Sequence, residues 1–231
     1  MLTIRRADDR GTTDFDWLYS RHTFSFGDYV DANHHNFRAL RVINDDIIAG
    51  GGGFPTHPHR DMEILTYVMR GRLEHRDSMG NGTVIGPGEW QKMSAGTGVR
   101  HSEFNPSPTE AVHLLQIWVM PERKGLQPEY DQKLFTDADK AGQWRTIASR
   151  DGRGGSIRVH QDLVLSARTL KAGESASYDI TPGRAVWAHV TKGALELNQE
   201  QLGEGDAAAV NENRVTVRAT QDGEVLLFDL G

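Results

Sequence analysis

Cysteine is absent from the 231-residue chain. That excludes disulfides, a cysteine-held iron–sulfur cluster and a thiolate nucleophile. No stretch approaches the ~20 apolar residues that a membrane-spanning helix needs. The opening run MLTIRRADDRGTTDFDW lacks the apolar core of a signal peptide. Basic residues are outnumbered, with 26 Lys and Arg against 32 Asp and Glu, a net charge of −6. A mildly acidic chain is a poor direct binder of nucleic acid, because that affinity rests on Lys and Arg. No Ser-His-Asp order or phosphate-binding glycine loop stands out, and long amphipathic helical patterns are scarce. These absences lead to the expectation of a cytoplasmic, monomeric protein with neither membrane nor nucleic-acid partners. The length allows one large or two modest domains with a sizeable core.

Glycine, by contrast, is plentiful at 25 residues, as tight turns between short strands require. Strand-like runs fill the chain: FRALRVI (37–43), EILTYVM (63–69), TVI (83–85), AVHLLQIWVM (111–120), AVWAHV (185–190) and EVLLFDL (224–230). They are rich in β-branched and aromatic residues and separated by Gly, Pro, Asn and Asp. An all-β sandwich or barrel follows. Residues 121–156 break the rhythm. DADKAGQWRTIAS (137–149) has the pattern of a short helix with Asp137 or Asp139 as N-cap, and RDGRGGS (150–156) reads as a flexible turn. This stretch is expected to join two β domains, residues 1–135 and 157–231, with 136–156 as linker.

An internal echo supports the split. TYVMRGRLEHRD (66–77) resembles AHVTKGALELNQ (188–199), which sets Gly71 opposite Gly193, and Gly88-Glu89 resembles Gly205-Asp206.

Two short motifs carry chemistry. His57-Pro58-His59 and His101-Ser102-Glu103 each place metal-capable side chains at i and i+2. On a strand those side chains share one face, roughly 7 Å apart at Cα. Each motif follows a glycine-rich turn, Gly50–Gly53 and AGTG (95–98). Two such strands lining one barrel would offer three imidazoles and a carboxylate to a single divalent ion, with positions left open for substrate and dioxygen. That set is related to the two-histidine, one-carboxylate arrangement of non-haem iron oxygenases. Ligand type leaves Fe, Mn, Ni, Cu, Co and Zn open. Carried through the echo, the equivalent positions in the second copy are Asp179, Thr181, Arg218 and Thr220, of which only Asp179 is a plausible ligand. One metal site, in the first domain, is therefore expected.

The segments Gly51-x5-His57-x-His59-x3-Glu63 and Gly98-x2-His101-x3-Asn105 are similar to the two cupin motifs, although Gly71 comes one residue late and Gly96 replaces the usual proline. More specifically, HTFSFGDY (22–29), LRVINDD (40–46), THPHRDMEILTYV (56–68), MSAGTGVRHSEFNP (93–106) and LLQIWVMP (114–121) resemble the pirin family, with a weaker match at VHQD (159–162). The resemblance implies a bicupin: two consecutive double-stranded β-helix (jelly-roll) domains, the metal in the first. It also implies His57, His59, His101 and Glu103 as ligands of one divalent ion, Fe(II) foremost. The activity implied is that of the bacterial pirin-like quercetin 2,3-dioxygenases, which open a flavonol ring with dioxygen and release carbon monoxide. Glu103, or Glu63 if Glu103 stays ligated, would accept the substrate proton. The alternative that the family offers is a metal-binding regulatory protein that engages a transcription or redox partner without turnover.

Other candidates rank lower. His75 and Asp77 approach the turn at Met79–Gly82 and are expected to be solvated. His34 and His35 fall in a polar loop. His22 could line the site mouth or serve packing. His113 and Gln116 have opposite strand parity, so at most one faces the site. Phe54, Met62, Tyr67, Met93 and Trp118 could wall a pocket, with core packing the better expectation for most.

Overall fold

The computed structural model describes residues 2–231. Turn residues cut the chain into short extended segments, and apolar or alternating runs pair them into sheets. The first strands are β1 (Leu2–Arg5), β2 (Gly11–Phe15), β3 (Leu18–His22), β4 (Leu40–Ile48), β5 (Gly53–His59) and β6 (Glu63–Arg70). Then come β7 (Leu73–Asp77), β8 (Gly82–Ile85), β9 (Glu89–Ser94), β10 (Val99–Phe104), β11 (Val112–Val119) and β12 (Glu129–Leu134). The later strands begin with β13 (Arg145–Ser149), β14 (Ile157–Arg158), β15 (Leu163–Leu170), β16 (Ser175–Asp179) and β17 (Ala185–Lys192). They end with β18 (Ala194–Leu197), β19 (Glu200–Gly203), β20 (Ala207–Val210), β21 (Arg214–Ala219) and β22 (Gly223–Leu230).

The helix expected over 137–149 contracts to one turn, α1 (Asp137–Lys140). Its N-cap is Thr136, not Asp137 or Asp139: the Thr136 hydroxyl and the Asp139 carboxylate each take the other's backbone N–H, a capping box. Gly142 then adopts φ +71°, which leaves the helical region, and Arg145–Ser149 continue as strand.

The chain divides into two compact units. The first comprises Gly11–Phe135 with Val159–Gln161; the second takes the chain through Arg10, Thr136–Arg158 and Asp162–Gly231. The expected boundaries shift accordingly. β1 pairs with β20, from Leu2 opposite Val210 to Arg5 opposite Ala207, so the N-terminal strand belongs to the second unit. Residues 136–156 are no free linker, since they supply α1 and β13 to that unit.

Each unit is a jelly roll of one seven-stranded and one four-stranded sheet. The first has the orders β12-β9-β6-β11-β4-β3-β2 and β5-β10-β7-β8; the second has β1-β20-β17-β22-β15-β13-β14 and β16-β21-β18-β19. The two orders correspond, β6 to β17 and β9 to β20, as the sequence echo requires, except that the edge strand β14 runs parallel to β13 where β2 runs antiparallel to β3. Gly71 and Gly193 open the matching turns with φ +78° and +75°, and Gly88 and Gly205 agree at +80° and +82°. Only glycine adopts such angles freely. A Cβ at Gly71 would lie 2.7 Å from the Ala111 carbonyl oxygen, and one at Gly193 would overlap that of Asp222.

The interiors differ. The second unit has a continuous apolar core that includes Val186, Ala188, Leu195, Leu197, Ala208, Val217 and Leu227. In the first unit the apolar interior is split. One cluster holds Leu18, Ile48, Val68, Leu73, Ile85, Val112 and Leu114, and a smaller one holds Ile64, Met93 and Val99. Between them along β6 and β11 stand Thr66 and Gln116, directly opposite each other.

Gly193→Ala and Gly71→Ala should each cost roughly 2 kcal/mol or more, because both the left-handed conformation and the carbonyl contact are unavailable to alanine. Gly80→Ala has φ +95° but no neighbour within 4 Å, and should cost about 1 kcal/mol. Urea unfolding midpoints at unchanged slope check the order.

Candidate metal centre

β5 and β10 are antiparallel neighbours in the four-stranded sheet, with His57 opposite His101. Alternation then brings His59 to the same face as His57. The ligating nitrogens of His57, His59 and His101 all lie within 4.8 Å of one another. Nε2 of His57 and Nε2 of His101 are 3.0 Å apart. His57 Nδ1 lies 2.8 Å from the Pro55 carbonyl oxygen. A carbonyl only accepts, so Nδ1 donates to it and Nε2 is the atom turned toward the cluster. Burial, reinforced by the neighbouring imidazoles, pushes His59 down to about 4 and His101 down to about 3. Both rings are therefore neutral at pH 7, the form that binds metal.

This donor set fits a first-row divalent ion. Two nitrogens each about 2.1 Å from an octahedral ion, in adjacent positions, are separated by about 3 Å.

Glu103 sits one step deeper. It is buried on β10, and the regular pairing of β10 with β7 sets His75 opposite Glu103 and Asp77 opposite His101. Ligating atoms of His75, His101 and Glu103 form a second close triple within 4.8 Å. His75 is thus not a solvated hairpin residue: its side chain is wholly buried, because its cross-strand partner points inward. His75 Nε2 donates to Asp77 Oδ2 at 3.1 Å, and the His75 ring stacks on Tyr130 at 5.0 Å. Hydrogen bonds from Asn81, from His75 and from the Asn81 and Met79 amides outweigh burial and hold the Asp77 carboxyl below its ordinary range.

The facing sheet supplies what Glu103 needs. Gln91 Nε2 donates to Glu103 Oε1 at 2.7 Å, and Gln116 Nε2 donates to Oε2 at 2.7 Å. Thr66 joins the two amides: it receives Gln91 Nε2 and donates to Gln116 Oε1, each at 3.0 Å. These residues belong to one register row that crosses five strands, His22–Asn44–Gln116–Thr66–Gln91. His22 Nδ1 meets Asn44 Oδ1 at 2.8 Å, and its Nε2 meets the Thr13 hydroxyl at 2.8 Å. Burial still pushes the Glu103 carboxyl upward. In the second unit the matching row is Ser166–Leu227–Ala188–Ala208, in which an apolar core replaces the amides.

The sequence-predicted residues are placed as follows. His57, His59 and His101 converge, and Glu103 adjoins His101. Glu63 does not reach them. It lies on the opposite face of β6 from Thr66, where its Oε2 accepts from the Ser94 hydroxyl at 3.0 Å and the His160 amide at 3.2 Å. His22 both lines the cavity and is packed by hydrogen bonds. His113 faces away and pairs with Asp45 at 2.6 Å, while Gln116 faces inward. His34 pairs with Asp31 at 2.8 Å, and His35 is exposed. Asp179 forms an exposed pair with Arg214 at 2.5 Å, and Arg218 stands opposite Ser175. The two echo offsets therefore do not bring Asp179 and Arg218 together.

The histidines open onto a cavity of about 630 Å³. Its aromatic walls are Phe26, Tyr29, Phe54 and Trp118. Trp118 meets His59 edge-on at 4.9 Å. Met62 and Met93 pack in the core instead, and Tyr67 stacks on Trp90 at 4.4 Å. Ser20 and Asp46 also line the cavity. Neither was singled out from the sequence, nor were Thr66, Asn44 and Gln91. Their role depends on strand register, which short spacing does not encode.

His57→Ala and His101→Ala should each remove most bound metal, and Asp179→Ala should leave the stoichiometry unchanged; elemental analysis checks both. Gln116→Leu leaves one buried Glu103 oxygen without its donor. It should cost about 1–3 kcal/mol of stability and weaken metal binding about 10–100-fold, measured by unfolding and by competition with a chelator.

Comparison with known proteins gives the same picture. Residues 4–119 match the Pirin family model, and residues 146–230 match that of the quercetinase C-terminal cupin domain. The chain is 50% identical over 231 residues to quercetin 2,3-dioxygenase of Escherichia coli K12, covering 100% of this chain and 99% of that protein. It is 38% identical to a pirin-like protein of Caulobacter vibrioides, covering 99% of each. The crystal structure of the bacterial pirin YhhW of Escherichia coli in complex with nickel(II) superimposes with a TM-score of 0.95 at 48% identity, covering 100% of this chain and 99% of that one. With family-model matches in both units, a histidine cluster at the expected motif and relatedness along its whole length, this chain belongs to the pirin family of bicupin proteins.

Proposed function

We propose that this chain is a metal-dependent quercetin 2,3-dioxygenase that cleaves a flavonol with dioxygen and releases carbon monoxide. The observation that carries the reading is the convergence of three imidazoles on the wall of an aromatic-lined cavity. The 50% identity to the Escherichia coli enzyme supports the choice of substrate class. We assign His57, His59, His101 and Glu103 as ligands of one divalent ion, with Fe(II) foremost and nickel supported by the YhhW complex.

When bound, the ion supplies Lewis acidity to the substrate's 3-hydroxyl and a place for dioxygen. The protein does the rest. Phe26, Phe54 and Trp118 offer apolar faces to the flavonol rings and keep water from the reacting carbons. The Pro55 carbonyl accepts the Nδ1–H of His57 and orients its Nε2 toward the cluster. Glu103 is held in place by Gln91 and Gln116 and is the group assigned to accept the 3-hydroxyl proton.

Anaerobic reconstitution with Fe(II), followed by quercetin and dioxygen, should give metal-dependent flavonol loss with carbon monoxide in the headspace. Mn, Co, Ni and Cu run in parallel will rank the metals, and Zn should be inactive. Absence of quercetin consumption with every metal would sink the activity.

A further inference from the structure

The polar row that holds Glu103 is followed, two residues further along β3 and β4, by a second polar pair. Ser20 and Asp46 stand directly opposite each other, one step beyond the His22–Asn44 pair. Two residues along a strand is about 7 Å. Asp46 is thus set away from the histidine cluster while lining the same cavity. Further across the row its neighbours turn apolar, with Leu114 opposite Asp46 and Val68 opposite Leu114.

Asp46 is 2% exposed, yet its Oδ1 has no hydrogen-bond partner among the described residues. Ser20 serves the carboxyl from one side. A buried carboxyl oxygen without a partner is costly, and proteins retain few of them without a use. The charged groups acting on it are Asp45, Glu103 and His113. None of them is a donor to Oδ1, and His113 is paired with Asp45.

From this placement we infer that Asp46 is a specificity-determining residue that binds a hydroxyl on the flavonol ring system remote from the metal-binding end. A phenolic hydroxyl is the matching chemistry: it donates to a carboxylate and accepts from a carboxylic acid. Phe26, Phe54 and Trp118 line the same cavity, so an aromatic ring carrying such a hydroxyl has apolar faces to lie against. Burial, which pushes Asp46 up to about 7, agrees with a carboxyl that can serve in its neutral form. The inference rests on the flavonol reading and deepens it.

The test is equilibrium binding to the metal-loaded protein under anaerobic conditions, followed by quenching of tryptophan fluorescence. The probes are quercetin and analogues that each lack one ring hydroxyl other than the 3-hydroxyl. Wild-type protein should disfavour one analogue about 10–100-fold relative to quercetin. Asp46→Ala should bring that pair to within about threefold while leaving the ranking of the other analogues intact. Asp46→Asn keeps shape and part of the hydrogen bonding, and should give an intermediate ratio at unchanged metal content; it also covers the case in which the alanine variant fails to fold. Equal binding of all analogues by wild type, or full discrimination in Asp46→Asn and Asp46→Ala, overturns the role of Asp46 and leaves the flavonol reading standing. No quercetin binding by wild type overturns both.

Discussion

A carboxylate buried inside a sandwich of two sheets is the constraint on which the first unit is built. Desolvation of Glu103 costs several kcal/mol unless both oxygens are served. Gln91 and Gln116 serve them, and Thr66 bonds both glutamines. The three residues come from different strands, so one side chain on the opposite sheet is served by β9, β6 and β11 together only in this register. The same register sets Trp118 and Ile64 above the row and Leu114 and Val68 below it. That arrangement explains why the apolar core is divided in two. The histidines then occupy the gap that the division leaves.

The two halves of the chain show the same fold with and without that constraint. Strand order, positive-φ glycines and turn positions agree between them. The row that is polar in the first unit is Ser166–Leu227–Ala188–Ala208 in the second, and there the core closes without interruption. The fold therefore does not require the site. It tolerates the site because amides placed in one row satisfy one another laterally, as backbone groups do in a ladder.

Much of this was legible in the sequence, for identifiable reasons. The HPH and HSE motifs encode a local geometry of period two, so a strand assignment was enough to orient them. Gly71 and Gly193 could be matched because a tight turn constrains residue type at a single position. What stayed hidden was long-range. His75 looked solvated from its closeness to a turn, but its environment is set by Glu103, its partner across the sheet. Glu63 fitted a motif by spacing, yet strand parity turns it toward Ser94. Gln91, Thr66 and Asn44 are unremarkable as single letters and gain meaning only from a register that joins strands far apart in the chain. The N-terminal strand was assigned to the nearer domain because nothing within Leu2–Arg5 names Val210 as its partner.

The polar row also constrains the order in which such a site can be acquired or lost. Histidines introduced on β16 and β21 would meet an interior of alanine and leucine, and any carboxylate added with them would have no donors. Amides placed first in that row would stabilise one another, though each would interrupt apolar packing. An ancestral barrel could therefore carry the row before it carried a ligand. Once the ligands were gone, mutation would be free to replace the amides with alkyl groups and gain stability. In the second unit the same turns close over a sealed apolar core, and in the first the polar row gives up packing to keep the interior open to chemistry.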